Sequence, residues 1–552
     1  MRDMTLDPTQ LYIQDLPQLF LDNLVIETVQ DITRRWHQPK RRADAPVIAK
    51  DRPWEHSLYF TYSNFCVLHD PQDGLCKCWY EDLEGPLPTP NVHWNRFSRQ
   101  LYAESKDGLE WRKPELDVHR LDGHKTNIVL GDSVYGQVHS AGMVIDKHPP
   151  TPDQRFRTIY SHMWESTSHR IEAAHSPDGI HWKTYDSFPS FGRTGPRLED
   201  VLVPMYDDEA QEFILHTRHF LQKRAAMNPM NPRTPFNRLS FNPPHEPHSP
   251  FSFNQRRIWQ SRSHDFIHWT EPIPVAAADD EEDNLDESFY GMPSFKVGNL
   301  YLGTAGVLHF VDNTMDVQLM MSRDGIHWKR TNKRQPFLEP RGEGYWDAYM
   351  VSVSSAPVEI GDELFFFHGG TNYHHDWWLV PTLGEMLDHP EARNPQGVRF
   401  GMGVASLRKD GFAGLQANAL REGLVVTRPL TSEGTQLTIN ARCGRGGYIR
   451  VEVIDEYDNV VANCSKEACD VFAGDSVSHL VTWQGSSTVP TQADDRTDSA
   501  REQSVPLARR LRFFLRDAEL FSFRFTGGSP MAHGIGGAGS VTRVAAPAPA
   551  QI

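Results

Sequence analysis

Acidic residues recur in this chain in short clusters beside aromatic rings: Trp54-Glu55-His56, Asp286-Glu287-Ser288-Phe289-Tyr290 and Tyr345-Trp346-Asp347, with a further acidic pair at Glu199-Asp200. Paired carboxyl groups are what cleavage of a bond between sugars requires. One protonates the leaving oxygen, the other attacks or activates water, and a third can orient the pair or tune its pKa. Aromatic rings offer flat apolar faces on which a sugar ring can rest. A fifth place, the segment YGQVHSAGMVID, has no acid at the equivalent point but offers Gln137 and His139.

Each of these residues also has a structural reading. Glu55 fits a surface position before a strand, Asp347 fits a turn cap, and His139 fits a core histidine. Asp286 and Glu287 end the run DDEEDNLDE, which reads equally as a solvated loop. That run lacks the alternating ligand spacing of a calcium loop. The sequence therefore calls for no cofactor and leaves room for at most a structural calcium in a channel.

What raises the chemical reading is the set of elements that must position these clusters. A phrase recurs as SKDGLEW from Ser105, SPDGIHW from Ser176, SHDFIHW from Ser263 and SRDGIHW from Ser322, with a decayed copy, SLRKDGFAGL, from Ser406. Asp-Gly between strand-formers reads as a tight hairpin, and the tryptophan that follows is sized to fill the wedge between neighbouring sheets. The copies lie roughly 60 to 90 residues apart, room for one four-stranded antiparallel sheet each. Sheets that repeat in this way cannot bury both faces alone and need neighbours of like shape. The expected fold is all-β: a five-bladed β-propeller followed by a C-terminal β-sandwich. The first strand of every blade lines the central channel of a propeller, so the acidic clusters would meet at one mouth.

The expected domains are an N-terminal extension over residues 1–50 with a strand at Leu19 to Ile26, the propeller over 51–423, the sandwich over 424–527, and a disordered tail over 528–552. The proline- and asparagine-rich stretch 227–253 is a long loop, a lid or a disordered insertion. At 552 residues there is ample core, with 39% hydrophobic and 23% charged residues. The net charge of −16 argues against a nucleic-acid partner, which lysine and arginine clusters would grip. No apolar run approaches membrane-spanning length. The opening MRDMTLDPTQLYIQDL has acids where a signal peptide needs a basic patch, which points to the cytoplasm. Six cysteines are too scattered for a disulfide scaffold, and Cys76 and Cys78 share one strand face as core residues.

The repeated S-x-D phrases, the five copies and the trailing sandwich resemble the furanosidase clan that contains glycoside hydrolase families 32 and 43. The segment DESFYGMPSFKVGNLYLG at Asp286 to Gly303 is similar to that clan's fourth-blade opening, an acid before a Phe-Tyr pair. The clan places an aspartate on blade one, another on blade two and a glutamate on blade three. This chain departs from that pattern with Glu55, no blade-two acid and the pair Glu199-Asp200. The Asn-Asp-Pro-Asn and Arg-Asp-Pro signatures of family 32 are absent. The expected function is a glycoside hydrolase acting on an oligosaccharide or furanoside. Its site would combine Glu287 as general acid, Asp200 as base or nucleophile, Asp347 as orienting group and Glu55 closing the ring, with Trp54, His139, Asp286, Tyr290 and Trp346 as substrate-binding residues. The alternative is a propeller that binds carbohydrate without catalysis.

Overall fold

Each intact repeat folds into the same small loop. The serine hydroxyl accepts the backbone N–H of the glycine three residues on, or of Phe266 in the third copy, at 2.9 to 3.0 Å. One aspartate oxygen accepts the next two N–H groups, as Asp178 Oδ1 does from Ile180 at 2.8 Å and His181 at 2.9 Å. The tryptophan indole N–H then donates back to the carbonyl at the turn, as Trp182 does to Gly179 at 3.0 Å. The turn residue is left-handed, with φ of 74°, 81° and 71° at Gly108, Gly179 and Gly325 and 74° at Phe266. The two-residue hairpin expected from Asp-Gly is thus corrected. The strands at Ser168–Ser176 and Lys183–Thr184 are joined by a six-residue loop that the Ser and Asp side chains cap from within.

The computed structural model describes residues 11–83, 98–131, 137–165, 168–192, 201–219, 256–279, 281–284, 286–309, 312–375, 397–490, 508–527 and 542–544. Asp200, the 227–253 stretch and most of the tail lie outside them. The chain divides into two compact units: one takes Pro39–Lys296 and Leu300–Ser406, the other Met1–Gln38, Val297–Asn299 and Leu407–Ile535, with Gly536–Ile552 grouped in the former.

The larger unit is a succession of antiparallel meanders. The first runs through Phe65–Asp70, Leu75–Leu83, Ser98–Ser105 and Ile128–Leu130, and the second through Gln137–Ile145, Phe156–Glu165, Ser168–Ser176 and Lys183–Thr184. The third uses Leu202–Asp207, Glu212–His219, Arg257–Ser263 and Ile273–Ala276. The fourth opens with Glu287–Phe289 and Ser294–Val297 and continues through Leu300–His309, Thr314–Ser322 and Lys329–Arg330. The fifth opens with Met350–Val353 and Val358–Ile360, then Glu363–Thr371 and Phe400–Arg408. Its outermost strand comes from far upstream: Lys40–Arg41 pairs antiparallel with Ser406 and Ala405. A single parallel pair, Met315 to Met350, joins the fourth and fifth meanders.

The repeated loops pack each meander on the one before it. The Gly179 carbonyl accepts the Trp79 indole at 2.6 Å, the Asp265 carbonyl accepts Arg157 at 2.7 Å, and the Gly325 carbonyl accepts Gln260 at 2.6 Å. The loop of the first meander packs instead on the fifth, where Trp111 meets Phe367 edge-on at 5.7 Å. Glycine permits close approach where neighbouring meanders meet. A Cβ on Gly142 would stand 2.1 Å from the Leu202 carbonyl oxygen, and one on Gly369 2.0 Å from that of Phe60.

The smaller unit is a β-sheet assembly around two long strands, Gln436–Ile454 and Arg510–Thr526, with a core that includes Leu437, Val451, Leu511, Phe513 and Phe523. The single strand expected at Leu19 to Ile26 is corrected to two. Gln18–Leu19 pairs with Phe523 and Ser522, and Ile26–Gln30 pairs with Leu424–Thr427. Between them Asp22 Oδ1 accepts the Leu24 N–H at 3.0 Å, and this turn breaks the strand. Ile32–Trp36 pairs with Ala413–Ala417.

All six cysteines are free. Burial pushes the Cys66 and Cys76 thiols up to about 12. Among the described residues no helix is long and apolar enough to cross a membrane, and no cluster of three or more His, Cys, Asp or Glu could hold a metal. Of the tail, Thr542–Val544 runs parallel to Val358–Ile360 as a strand.

Candidate active site

Glu287 opens the fourth meander, and its carboxyl is buried. Asn284 Nδ2 donates to Oε1 at 2.7 Å, and Arg330 approaches Oε2 at 3.2 Å. That guanidinium is taken up chiefly by Asp283 and by Gln318 Oε1. Burial is the largest influence on Glu287, reinforced by Asp316 and Asp286 and opposed by Asn284 and His309; the net effect raises its pKa. A carboxyl in this position holds its proton to higher pH than an exposed glutamate does.

His309, at the end of the next strand, links Glu287 to a second carboxylate. Its Nδ1 lies 4.0 Å from Glu287 Oε1, and its Nε2 lies 2.9 Å from Asp316 Oδ2. Burial alone would lower the His309 pKa, but Asp316, Glu287 and Asp286 outweigh it and the pKa is raised. The other Asp316 oxygen is buried with no hydrogen-bond partner among the described residues.

Aromatic rings wall this cluster. Tyr290 lies with its ring centroid 6.0 Å from that of Tyr62 and 5.3 Å from that of His375. The guanidinium of Arg218 sits 4.1 Å, and that of Arg256 5.1 Å, from the Tyr290 ring centre. Tyr62 is fully buried, and its hydroxyl has no hydrogen-bond partner among the described residues. The first, third, fourth and fifth meanders thus each bring a side chain to Tyr290 or its neighbours.

A second polar group sits where the first and second meanders meet. Glu81 accepts from Asn64 Nδ2 at 2.6 Å and the Ser140 N–H at 3.0 Å, and shares a 2.6 Å hydrogen bond with His139 Nδ1. Ser140 is left-handed at φ 54°, a conformation that costs a non-glycine residue about 1–2 kcal/mol and that the Glu81 bond helps hold. The single turn Tyr62–Asn64 supplies Tyr62 to the Glu287 group and Asn64 to this one.

The remaining residues expected at the site stand in other networks. Both Glu55 oxygens are occupied: Oε1 by the Tyr80 hydroxyl at 2.8 Å and Lys113 Nζ at 2.6 Å, Oε2 by the Asp51 and Arg52 N–H groups at 2.9 and 3.0 Å. Trp54 donates its indole N–H to Asn127 Oδ1 at 2.7 Å. Asp347 is fully buried between Arg41 at 2.8 Å and Arg341 at 2.6 Å. Its pKa lies far below the usual carboxylate range, because burial is outweighed by the nearby His368 ring, 3.7 Å away, the hydrogen bond from Arg341 and the charge of Arg41. Trp346 donates to the Asp44 carbonyl at 2.9 Å and stacks on His368. Asp286 is half-buried and acts on Glu287 and His309 through its charge. Asp200 lies outside the described residues, but Val201, which follows it, packs within 3.0 Å of where a Gly291 Cβ would stand, directly after Tyr290.

Sequence reading missed Glu81, His309, Asp316, Arg218 and Arg256. They lie on second and third strands, or in the case of Arg256 just before one, and only the strand register brings them to the openings of the first strands. The alternation in LCKCWYEDL was a signal for Glu81, since it sets the face that residue occupies.

No protein-family model matches the chain, and no curated protein matches it. Solved structures do. One described as a glycoside hydrolase is 13% identical, covers 68% of this chain and 94% of its own, and gives a TM-score of 0.42. An N-acetylgalactosamine deacetylase from F. plautii, in complex with blood group B trisaccharide, is 14% identical, with coverage of 68% and 95% and a TM-score of 0.41. A β-1,2-mannobiose phosphorylase from Listeria innocua, in complex with β-1,2-mannobiose, is 13% identical, with coverage of 69% and 97% and a TM-score of 0.42.

Proposed function

We propose that the chain is a glycoside hydrolase whose larger unit is a five-bladed propeller, with its site around Glu287 where the first strands of the blades open. The observation that carries this reading is the Glu287 carboxyl, buried and raised in pKa, beside a carboxylate held by His309 and a wall formed by Tyr290 and Tyr62. A carboxyl that holds its proton to higher pH than an exposed glutamate is better able to give it to a departing glycosidic oxygen. Asp200, close in sequence to the third meander's opening, is carried as the base or nucleophile. Asp316 favours the protonated form of His309, and a positive charge there would steady the ionised Glu287 left behind by proton transfer. Asp347 acts at one remove as a fixed anion holding Arg41 and Arg341, and Glu55 ties its loop to Lys113. The substrate is an oligosaccharide or furanoside.

A panel of aryl furanosides and pyranosides tests this on the full chain. Wild type is expected to cleave at least one, and Glu287→Gln to lose on the order of a hundredfold or more in rate. The saturation of Glu55 and Asp347 by cations and N–H groups favours one other reading, a propeller that binds sugars without cleaving them. Sugar binding by calorimetry with no turnover of any panel member would assign the protein to it.

A further inference from the structure

The first strands of the meanders converge a second time at their far ends, away from Glu287. There the strands and the segments beside them line a partly open pocket of about 150 Å³, with residues from all five meanders of the larger unit. That volume matches apolar cavities known to take up benzene. Phe65, Met143, Pro204, Met205 and Tyr206 give it apolar and aromatic walls.

Several polar side chains also reach the lining; Ser63, Ser294 and Ser355 are hydrogen-bonded within the protein and Lys147 is paired with Asp208, which leaves His69 and Ser354. His69 is 4% exposed and Ser354 3% exposed. The Ser354 hydroxyl and the His69 ring nitrogens have no partner with full hydrogen-bond geometry among the described residues, although the Gly74 backbone lies close enough to pull on the imidazole. A buried polar atom left without a partner is costly, so these groups call for an occupant. Burial pushes the His69 imidazole below its ordinary pKa, against the pull of the Gly74 backbone, Asp70 and Asp73. It is neutral at pH 7 and offers one donor and one acceptor. The charges close by are already paired: Asp70 with Lys77 and Arg155, Lys147 with Asp208. Nothing there compensates a charged guest.

We propose that this cavity is a second binding site, separate from the Glu287 site, for a small neutral molecule with an apolar body about the size of a benzene ring and one hydroxyl group. The ring rests on the methionine and aromatic side chains, and the hydroxyl bonds to His69 and Ser354. The site does not depend on glycosidase activity.

4-Fluorophenol serves as the probe, followed by ¹⁹F NMR with the full chain. Wild type is expected to shift its resonance saturably, to release it when phenol is added, and to bind fluorobenzene at least tenfold more weakly. Ser354→Ala, which removes only a hydroxyl, is expected to weaken 4-fluorophenol binding about fivefold or more; His69→Phe, which fills the space, should abolish it. Thermal melts establish that both variants fold. The proposal is overturned if wild type shows no saturable shift, as a cavity holding only water would give. It is equally overturned if fluorobenzene binds as well as 4-fluorophenol, or if folded Ser354→Ala binds like wild type.

Discussion

Glu287 makes the sharpest demand on a single side chain. The general-acid role proposed for it matters most when the leaving group is a poor one. Glu287→Gln should therefore lose at least a hundredfold on an unactivated disaccharide yet stay within about tenfold of wild type on a dinitrophenyl glycoside, whose departure needs no proton; equal losses on both would remove it from that role. The acid works only while protonated, so the rate must fall as pH rises through its pKa. Because burial raises that pKa, the basic limb should lie above the range of an exposed glutamate and vanish from the pH–rate profile of Glu287→Gln. The sequence made Glu287 legible because an acid before Phe289 and Tyr290 stands out in one dimension. The same signal misled at Glu55 and Asp347, where an acid beside an aromatic ring marks an ion-pair hub. His309 and Asp316 were illegible because their meaning lies in register, not in spacing.

Among the elements, the Ser-x-Asp loop is the unit that repeats, and Gly179 shows why glycine stands at its turn. A Cβ there would lie 2.4 Å from the Trp79 ring, on a backbone already at φ +81°. Gly179→Ala should cost about 3 kcal/mol, the left-handed penalty plus overpacking. Gly74→Ala, at φ +73° with open space around it, should cost only about 1–2 kcal/mol; urea denaturation of the pair separates the two terms, and equal costs would mean the loop does not clamp neighbouring sheets. The repeat was readable because its serine, aspartate and tryptophan each make a local bond. Its length was misread because Asp-Gly alone suggests a shorter turn. The N-terminal strands were half-read for a related reason: the apolar run from Leu19 hides a turn that one aspartate makes.

At the scale of the molecule, the smaller unit is assembled from both ends of the chain. A fragment of residues 424–552 lacks Ile26–Gln30, which covers the Leu424–Thr427 edge, and should aggregate. Residues 1–38 co-expressed with 407–527 should yield a soluble complex by gel filtration; a soluble, monomeric 424–552 fragment would show those strands to be dispensable. The repeats announced the tandem sheets, but two residues, Lys40–Arg41, carry no periodicity from which their pairing could be read. That pairing has a temporal side. On the ribosome, Arg41 emerges long before its partner Ala405, and at about 5–20 residues per second the wait is roughly 20 to 70 seconds. For that interval the first-made segment is an open edge strand with its partner unmade, exposed to chaperones, proteases and neighbouring nascent chains. Loss during that interval would make recovery depend on the order of synthesis as well as on stability, and slowing translation beyond Arg41 is expected to lower the soluble yield.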